Sequence, residues 1–304
     1  MKRIVRTVVG ALSVVAAAAV MVGAGPAAQG DSASTADRGH GRYVEVNGLR
    51  MYYEVHGKDR RQPPLVLLHG GFSATGTSWG QLIRGLARTR KVISIEQQGH
   101  GHTADIADRP LRIPQLAQDT VDLLDQIGVD QADFYGYSLG AGIALEIGIN
   151  HPDKVRKLVL QSLAINNEGF HPGHTEGMAG LEPWMLEGSE FHQEYLETNP
   201  NPENFNLLVA KTKDMLLTLP PFPPAAVSAM TSPVLTVIGD SDIVRPEHAV
   251  EVFRLVGGGI NGDIVGGPPN SQLAVLPGTT HISSVYQKEL LLSLVPAFLD
   301  APVN

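Results

Sequence analysis

Gly136-Tyr137-Ser138-Leu139-Gly140 follows the short apolar run Ala132-Asp133-Phe134-Tyr135 and precedes residues 141–149, whose small and aliphatic side chains suit a buried helix. The order reads as strand, tight turn, helix. A serine at the apex of such a turn is held in strained backbone geometry. A glycine two residues to either side removes the side chains that would collide with the neighbouring strand and helix. The hydroxyl is then presented at a helix N-terminus, where free N–H groups and the helix dipole favour developing negative charge. Alone the pattern is weak, because a chain with 33 glycines in 304 residues meets G-x-S-x-G readily by chance. Its surroundings decide what it is.

Upstream of the turn, residues 43–46 and 49–55 alternate about Asn47-Gly48 as a β-hairpin, the Asn-Gly pair supplying positive φ. Leu65-Val66-Leu67-Leu68 and Val92-Ile93-Ser94-Ile95 read as fully buried strands. Between them residues 79–86 fit a helix, and residues 113–127 carry apolar residues at helical spacing that stop at Gly128. Downstream, residues 157–160 form another strand. From 164 to 226 the texture changes to Gly, Pro, His and Glu without a strand pattern, which predicts an inserted helical cap. Alternation resumes with a strand at 234–238, a helix at 248–255, a glycine-rich loop at 257–269, a strand at 273–276 and a closing helix at 290–299. Strands alternating with helices imply right-handed crossovers and an α/β fold, a mostly parallel sheet covered on both faces.

Composition sets the outer bounds. The chain is 43% hydrophobic and 18% charged, which suits a globular domain with a large core, and its formal net charge of −8 makes nucleic acid and anionic membranes poor partners. It has no cysteine, so disulfides, thiolate metal sites, a cysteine nucleophile and an acylated cysteine are excluded. At the N-terminus Lys2, Arg3 and Arg6 precede the uncharged run 8–22 and the small residues Gly25-Pro26-Ala27-Ala28. This order predicts a signal peptide over residues 1–28, cleaved to give a secreted protein without a stable membrane anchor, and a flexible polar leader over 29–42. The core is then 43–163 with 227–304, and the cap is 164–226.

In an open parallel sheet, residues placed just after the strands converge on one crevice although far apart in sequence. Four such loops carry chemistry here. They are His69-Gly70-Gly71, Ser138, Gly239-Asp240-Ser241-Asp242, and Pro277-Gly278-Thr279-Thr280-His281. The order serine, acid, histidine is one of three unrelated solutions to the same catalytic arrangement. His100, His102, His171, His174 and His192 raise the question of a metal, but a proline and a glycine between His171 and His174 argue against one helical face, so no metal is expected. His69 is expected to pack behind its loop while the backbone works.

From about Tyr43 to the C-terminus the chain resembles the α/β-hydrolase family. The resemblance rests on the strand-terminal HGG, the loop QQGHGHT, the elbow GYSLG, the acid loop GDSDIVRP and the terminal LPGTTH. It implies an eight-stranded-type sheet with Ser138 as nucleophile, Asp242 as acid and His281 as base. It also implies the backbone N–H groups of Gly71 and Leu139 as oxyanion hole, and no cofactor. Asp240 competes with Asp242, but the acid ahead of Ile243-Val244 and Pro246 matches the family spacing better. Gln98 stands where arginine is frequent in the family, a departure expected to bear on pocket lining. Phe72, Trp184 and Met185 are candidates to line the pocket. The expected function is hydrolysis of carboxylic esters or lactones, small-molecule substrates, through an acyl-enzyme. Serine at the elbow argues against epoxide hydrolases and dehalogenases of this fold, which place an aspartate there. Amide, C–C bond and perhydrolase chemistry, or a receptor that keeps the triad for ligand capture, are the alternatives, since fold does not fix function.

Overall fold

The computed structural model describes residues 40–303. The signal-peptide expectation and most of the leader fall outside these residues. Residues 40–42, assigned above to the leader, belong instead to the first strand, where they pair with residues 53–55.

Eight strands form one sheet: β1 (His40–Val46), β2 (Leu49–His56), β3 (Leu65–Leu68), β4 (Val92–Ile95), β5 (Ala132–Tyr137), β6 (Val155–Gln161), β7 (Val234–Ser241) and β8 (Gln272–Thr280). Their order across the sheet is β1-β2-β4-β3-β5-β6-β7-β8. The β1–β2 hairpin turns on Asn47 and Gly48, with φ of 50° and 82°, the geometry that the Asn-Gly pair permits. β2 pairs antiparallel with β4, and every pairing from β4 to β8 is parallel. The sheet therefore reverses direction of growth at β3, with β4 on one side and β5 on the other, which opens a crevice at the strand ends there.

Alternation along the strands separates two cores. Val66, Leu68, Ile93, Ile95, Phe134 and Leu158 pack on one face with helices Ile113–Gln126 and Leu139–Asn150. Leu65, Leu67, Val92, Tyr135, Val159 and Leu235 pack on the other, with Trp79, Leu86 and the closing helix Lys288–Asp300. Each fully buried leucine or valine contributes about 1.5–3 kcal/mol, so strands with no exposed residue, such as β3 and β4, anchor the sheet. The single helix expected over 79–86 is two short ones, Thr75–Trp79 and Ile83–Leu86. Gly80 closes the first through its N–H to Gly76 O, and the chain needs a turn before Ile83 can face the core.

Between β6 and β7 the described residues contain helices and no strand: Asn167–Gly169, His174–Ala179, Pro183–Leu186, Glu190–Thr198, Pro202–Asn204, Phe205–Thr218 and Pro224–Ser228. This is the helical cap. Its Glu194 reaches the loop after β3, accepting the N–H groups of Ala74 (2.9 Å) and Thr77 (3.0 Å) and the Thr77 hydroxyl. Ala74 has no side chain to cap helix Thr75–Trp79, so a carboxylate 120 residues away does so.

Candidate active site

The crevice at the β3/β5 reversal holds the turn quoted first. Ser138 has φ 53° and ψ −112°, a conformation that costs a non-glycine residue on the order of 1–3 kcal/mol and is held only because its surroundings leave no alternative. They are tight. A Cβ on Gly136 would lie 2.1 Å from Gly140 O, and one on Gly140 would lie 1.9 Å from Leu68 O. The two glycines are therefore obligatory, and the serine between them heads helix Leu139–Asn150.

His281, in the loop after β8, places Nε2 3.0 Å from Ser138 Oγ. Its Nδ1 lies 2.8 Å from Asp242 Oδ1, in the loop after β7. Asp242 is 3% exposed and accepts further bonds from Ser162 Oγ at Oδ2 (2.6 Å) and from the Val244 N–H at Oδ1 (3.1 Å). Burial raises its pKa, but the hydrogen bond and charge of His281, with the Ser162 and Val244 bonds, outweigh it and hold the carboxyl below its ordinary value. It stays ionised. Asp240 faces away from His281, exposed, and binds the N–H groups of Gly278 (2.8 Å) and Thr279 (3.1 Å), so it fastens the histidine loop. Tyr137 and Ser284 donate to His281 O at 3.0 and 2.7 Å, and fix that loop from the other side.

Leu139 directly follows Ser138, and Gly71 lies in the loop after β3. Leu139 is the first residue of its helix, so its N–H lies outside the helical ladder, and among the described residues the Gly71 N–H meets no acceptor. Donors left free in this way are the kind that a developing oxyanion needs. Behind them His69 is fully buried. Its Nδ1–H donates to Gly70 O (2.8 Å) and its Nε2 accepts the Gln97 N–H (3.0 Å), which ties the loop after β3 to the loop after β4. Gln98 does not line a pocket, contrary to expectation. It is buried, donates to Asp105 Oδ1 (2.6 Å) and Arg109 O (2.9 Å), and accepts from Arg109 Nε, so it knots residues 97–109 together.

Of the residues expected to line a pocket, none of Phe72, Trp184 and Met185 lines the apolar cavity of the cap. Trp184 and Met185 are 65% and 40% exposed, on a one-turn helix begun by Pro183 that buries nothing. Phe72, with φ 64°, packs partly buried against the core. A cavity of about 30 Å³ within the cap is mostly apolar and lined by residues that include Phe170, His174, Met178, Leu216 and Leu219. Phe170 bridges to Val244, and the His171 N–H donates to Ile243 O, which pins this wall to the acid loop. His174 stacks on Phe170 with ring centroids 4.3 Å apart. Burial, and then the nearby His281, lower its pKa against the pull of Asp242, so it presents a neutral ring. A larger cavity of about 410 Å³ is lined by Glu54, His56, Glu96, His102 and Glu194 and contains no triad residue. The smaller one is lined by no triad residue either, but its His174 feels the charges of His281 and Asp242. Ser162 and Phe170 were not singled out from sequence, although Ser162 follows a strand end as the triad residues do; His174 was weighed there as a metal ligand.

The family described as alpha/beta hydrolase fold matches residues 63–222, more than half of the chain. The chain is 37% identical over 126 residues to the 2-hydroxymuconate semialdehyde hydrolase of Pseudomonas sp. (strain CF600), covering 41% of this chain and 44% of that protein. It is 30% identical over 162 residues to Epoxide hydrolase B of Mycobacterium tuberculosis (strain ATCC 25618 / H37Rv), covering 51% and 46%. The chain thus spans less than half the length of the curated relatives it matches. Carboxylesterase CesB (YbfK) from Bacillus subtilis shares the fold, with a TM-score of 0.64 and 19% identity over 88% of this chain and 93% of that one. With the parallel sheet, the glycine-flanked serine turn and the family match in agreement, the chain belongs to the α/β-hydrolase fold family.

Proposed function

We propose that the protein hydrolyses carboxylic esters or lactones through an acyl-serine intermediate. The observation that carries this reading is the continuous path from Ser138 Oγ through the His281 ring to the Asp242 carboxylate, at 3.0 and 2.8 Å. His281 Nε2 takes the Ser138 proton as Oγ bonds to the carbonyl carbon, and the carbonyl oxygen becomes an oxyanion between the Gly71 and Leu139 N–H groups. Asp242 orients the ring and stabilises its cation. The tetrahedral adduct collapses, the C–O bond to the leaving alcohol breaks, and His281 gives that oxygen the proton. Water then gives a proton to His281 as it attacks the acyl carbon. The second collapse frees the acid and returns the proton to Ser138.

A serine-directed phosphonate and a panel of p-nitrophenyl esters test this on the purified chain. The expected result is one covalent adduct, on Ser138, with turnover lost in step with labelling and absent from Ser138→Ala. Absence of both labelling and turnover in folded protein would overturn the reading and favour a ligand-binding role. Cleavage of a C–C bond next to a ketone is a second reading, favoured by the 37% identity to a semialdehyde hydrolase. Turnover of a vinylogous diketone acid but of no ester would select it. We also infer export after cleavage near Ala27 or Ala28, supported by the basic, apolar and small-residue order of residues 2–28. Mass spectrometry of the secreted chain tests that, and a membrane-sedimenting protein still beginning at Met1 would refute it.

A further inference from the structure

Gly71, the donor that the acyl-serine reading sets against the oxyanion, is followed by Phe72 at φ 64°. A left-handed conformation is an outlier for a bulky side chain and persists only where the chain is held on both sides of it. Before Phe72 the hold comes from the core. Gly70 O accepts His69 Nδ1–H at 2.8 Å, and His69 Nε2 accepts the Gln97 N–H at 3.0 Å. Ser73 Oγ donates to Gly70 O at 2.9 Å, Ser78 Oγ accepts the Gly70 N–H at 3.3 Å, and the two hydroxyls lie 2.7 Å apart. These bonds close within the loop, so they fix its shape but not its place.

After Phe72 the cap takes over. Among the described residues Ala74 is the first beyond Phe72 with a hydrogen bond that leaves residues 69–78, and its partner is Glu194 Oε2 at 2.9 Å. The Thr77 N–H donates to Oε1 of the same carboxylate at 3.0 Å, and the Thr77 hydroxyl donates to it as well. The Ala74 N–H has a second, longer partner in Thr77 Oγ1 at 3.3 Å, and because that hydroxyl is turned to Glu194, both routes end on one side chain. The core adds Thr75, whose N–H reaches Glu96 Oε1 at 3.3 Å and whose hydroxyl lies 2.9 Å from that of Ser94. The helix that carries Glu194 is itself braced. One turn earlier on the same face, Glu190 accepts the hydroxyl of Tyr286, at the end of the short helix Ile282–Tyr286 that begins directly after His281. One cap helix, Glu190–Thr198, thus reaches the loop of Gly71 with one carboxylate and the turn after His281 with another.

We propose that Glu194 is a positioning residue, a carboxylate of the cap that holds residues 71–74 so that the Gly71 N–H stays aimed at the oxyanion of an ester or lactone. The inference rests on the acyl-serine reading and adds to it that the cap completes the oxyanion hole. Negative charge develops on the carbonyl oxygen only on the way to the tetrahedral adduct. Loss of the hold therefore acts on the chemical step and not on binding of the intact substrate.

The test compares the wild type with E194Q and T77V on p-nitrophenyl butyrate and with an alkyl trifluoromethyl ketone, whose adduct on Ser138 carries the oxyanion. E194Q keeps the shape of the side chain but has one acceptor oxygen in place of two. It should lower kcat by about tenfold or more, leave KM within about threefold, and weaken the ketone by the same factor as kcat. T77V leaves the carboxylate in place and removes one of its donors, so it should show the same pattern at about threefold. A side chain that merely steadied the fold would not divide kcat from KM in this way. Unchanged kcat and ketone binding in E194Q would overturn the proposal, as would a raised KM at unchanged kcat, which would make Glu194 part of the substrate pocket. Should E194Q not fold, T77V is judged by the same division. Phosphonate labelling of Ser138 in the wild type reports separately on the acyl-serine reading: no labelling defeats that reading, whereas a labelled wild type beside an equally active E194Q defeats this proposal alone.

Discussion

Lowering the pH from 7 to 4.5 should cost the fold about 5 kcal/mol through two histidines behind the oxyanion loop. His69 and His100 are both buried, with ring centroids 4.9 Å apart. Burial, then the charge of its neighbour, lowers His69 from 6.5 to about 3. Burial lowers His100 from 6.5 to about 4 against the Gln98 carbonyl and Asp105. A histidine depressed in the folded state binds a proton more readily when unfolded. Its contribution is thus fully present above the unfolded pKa near 6.5 and is lost as pH falls toward the folded value. At pH 4.5 each ring has forfeited about 2–3 kcal/mol, because the unfolded histidine is almost wholly charged and the folded one mostly neutral. Their sum is comparable to the whole stability of a small domain, about 5–15 kcal/mol.

Urea unfolding of the wild type and His100→Gln at pH 7 and pH 4.5 reads this directly. Glutamine has an N–H for Gln98 O, which His100 Nδ1 now bonds at 2.9 Å, but no titration. Carboxylates elsewhere titrate alike in both proteins and cancel in the comparison. The variant should lose about 2–3 kcal/mol less than the wild type over this interval. Equal losses in the two proteins would refute the reasoning.

Three further outcomes follow from the site. Asp242→Asn should lower kcat by about 10⁴-fold, whereas Asp240→Asn, whose carboxylate binds the Gly278 and Thr279 N–H groups and the Ser241 hydroxyl but not His281, should cost far less; steady-state kinetics with the reverse ranking would move the acid to Asp240. Ser162→Ala removes the 2.6 Å bond to Asp242 Oδ2 and should lower kcat/KM by roughly tenfold. Because that bond helps depress the Asp242 pKa, the carboxylate's contribution is present above its unfolded value and lost as pH falls through the folded one, so the acid limb of the variant's pH profile should move to higher pH. Trp184→Ala should leave the ranking of acyl chain lengths unchanged, since the side chain is 65% exposed, while Phe170→Ala or Leu216→Ala should change it. Identical rankings in all three would place selectivity outside the cap.

How far such residues can be read in advance depends on what fixes them. Ser138, Gly136 and Gly140 are set by contacts within a dozen residues and one neighbouring strand, so a five-residue pattern between a strand and a helix was enough to mark them. The same holds for Asp242 and His281, which lie a step beyond their strands. The cap has no such period. Trp184 was attractive because it is large and apolar, but Pro183 starts a turn that leaves it outside, and the cavity falls to Phe170, which a bridge to Val244 across 74 residues positions. Gln98 misled in the opposite way, since its partners Asp105 and Arg109 become visible only once the loop closes on itself. Ser162 is the instructive miss. It stands just past β6 with φ 57°, and the rule that found the triad applies to it unchanged. Taken strand by strand, β3 gives Gly71, β4 gives the Gln97 N–H that holds His69, β5 gives Ser138, β6 gives Ser162, β7 gives Asp242 and β8 gives His281. Each of the six parallel strands thus ends in one part of the site. The sheet's edge, and not any one motif, is what assembles it. A polar residue directly after any strand of such an edge should therefore be treated as part of the active site even when it belongs to no recognised pattern.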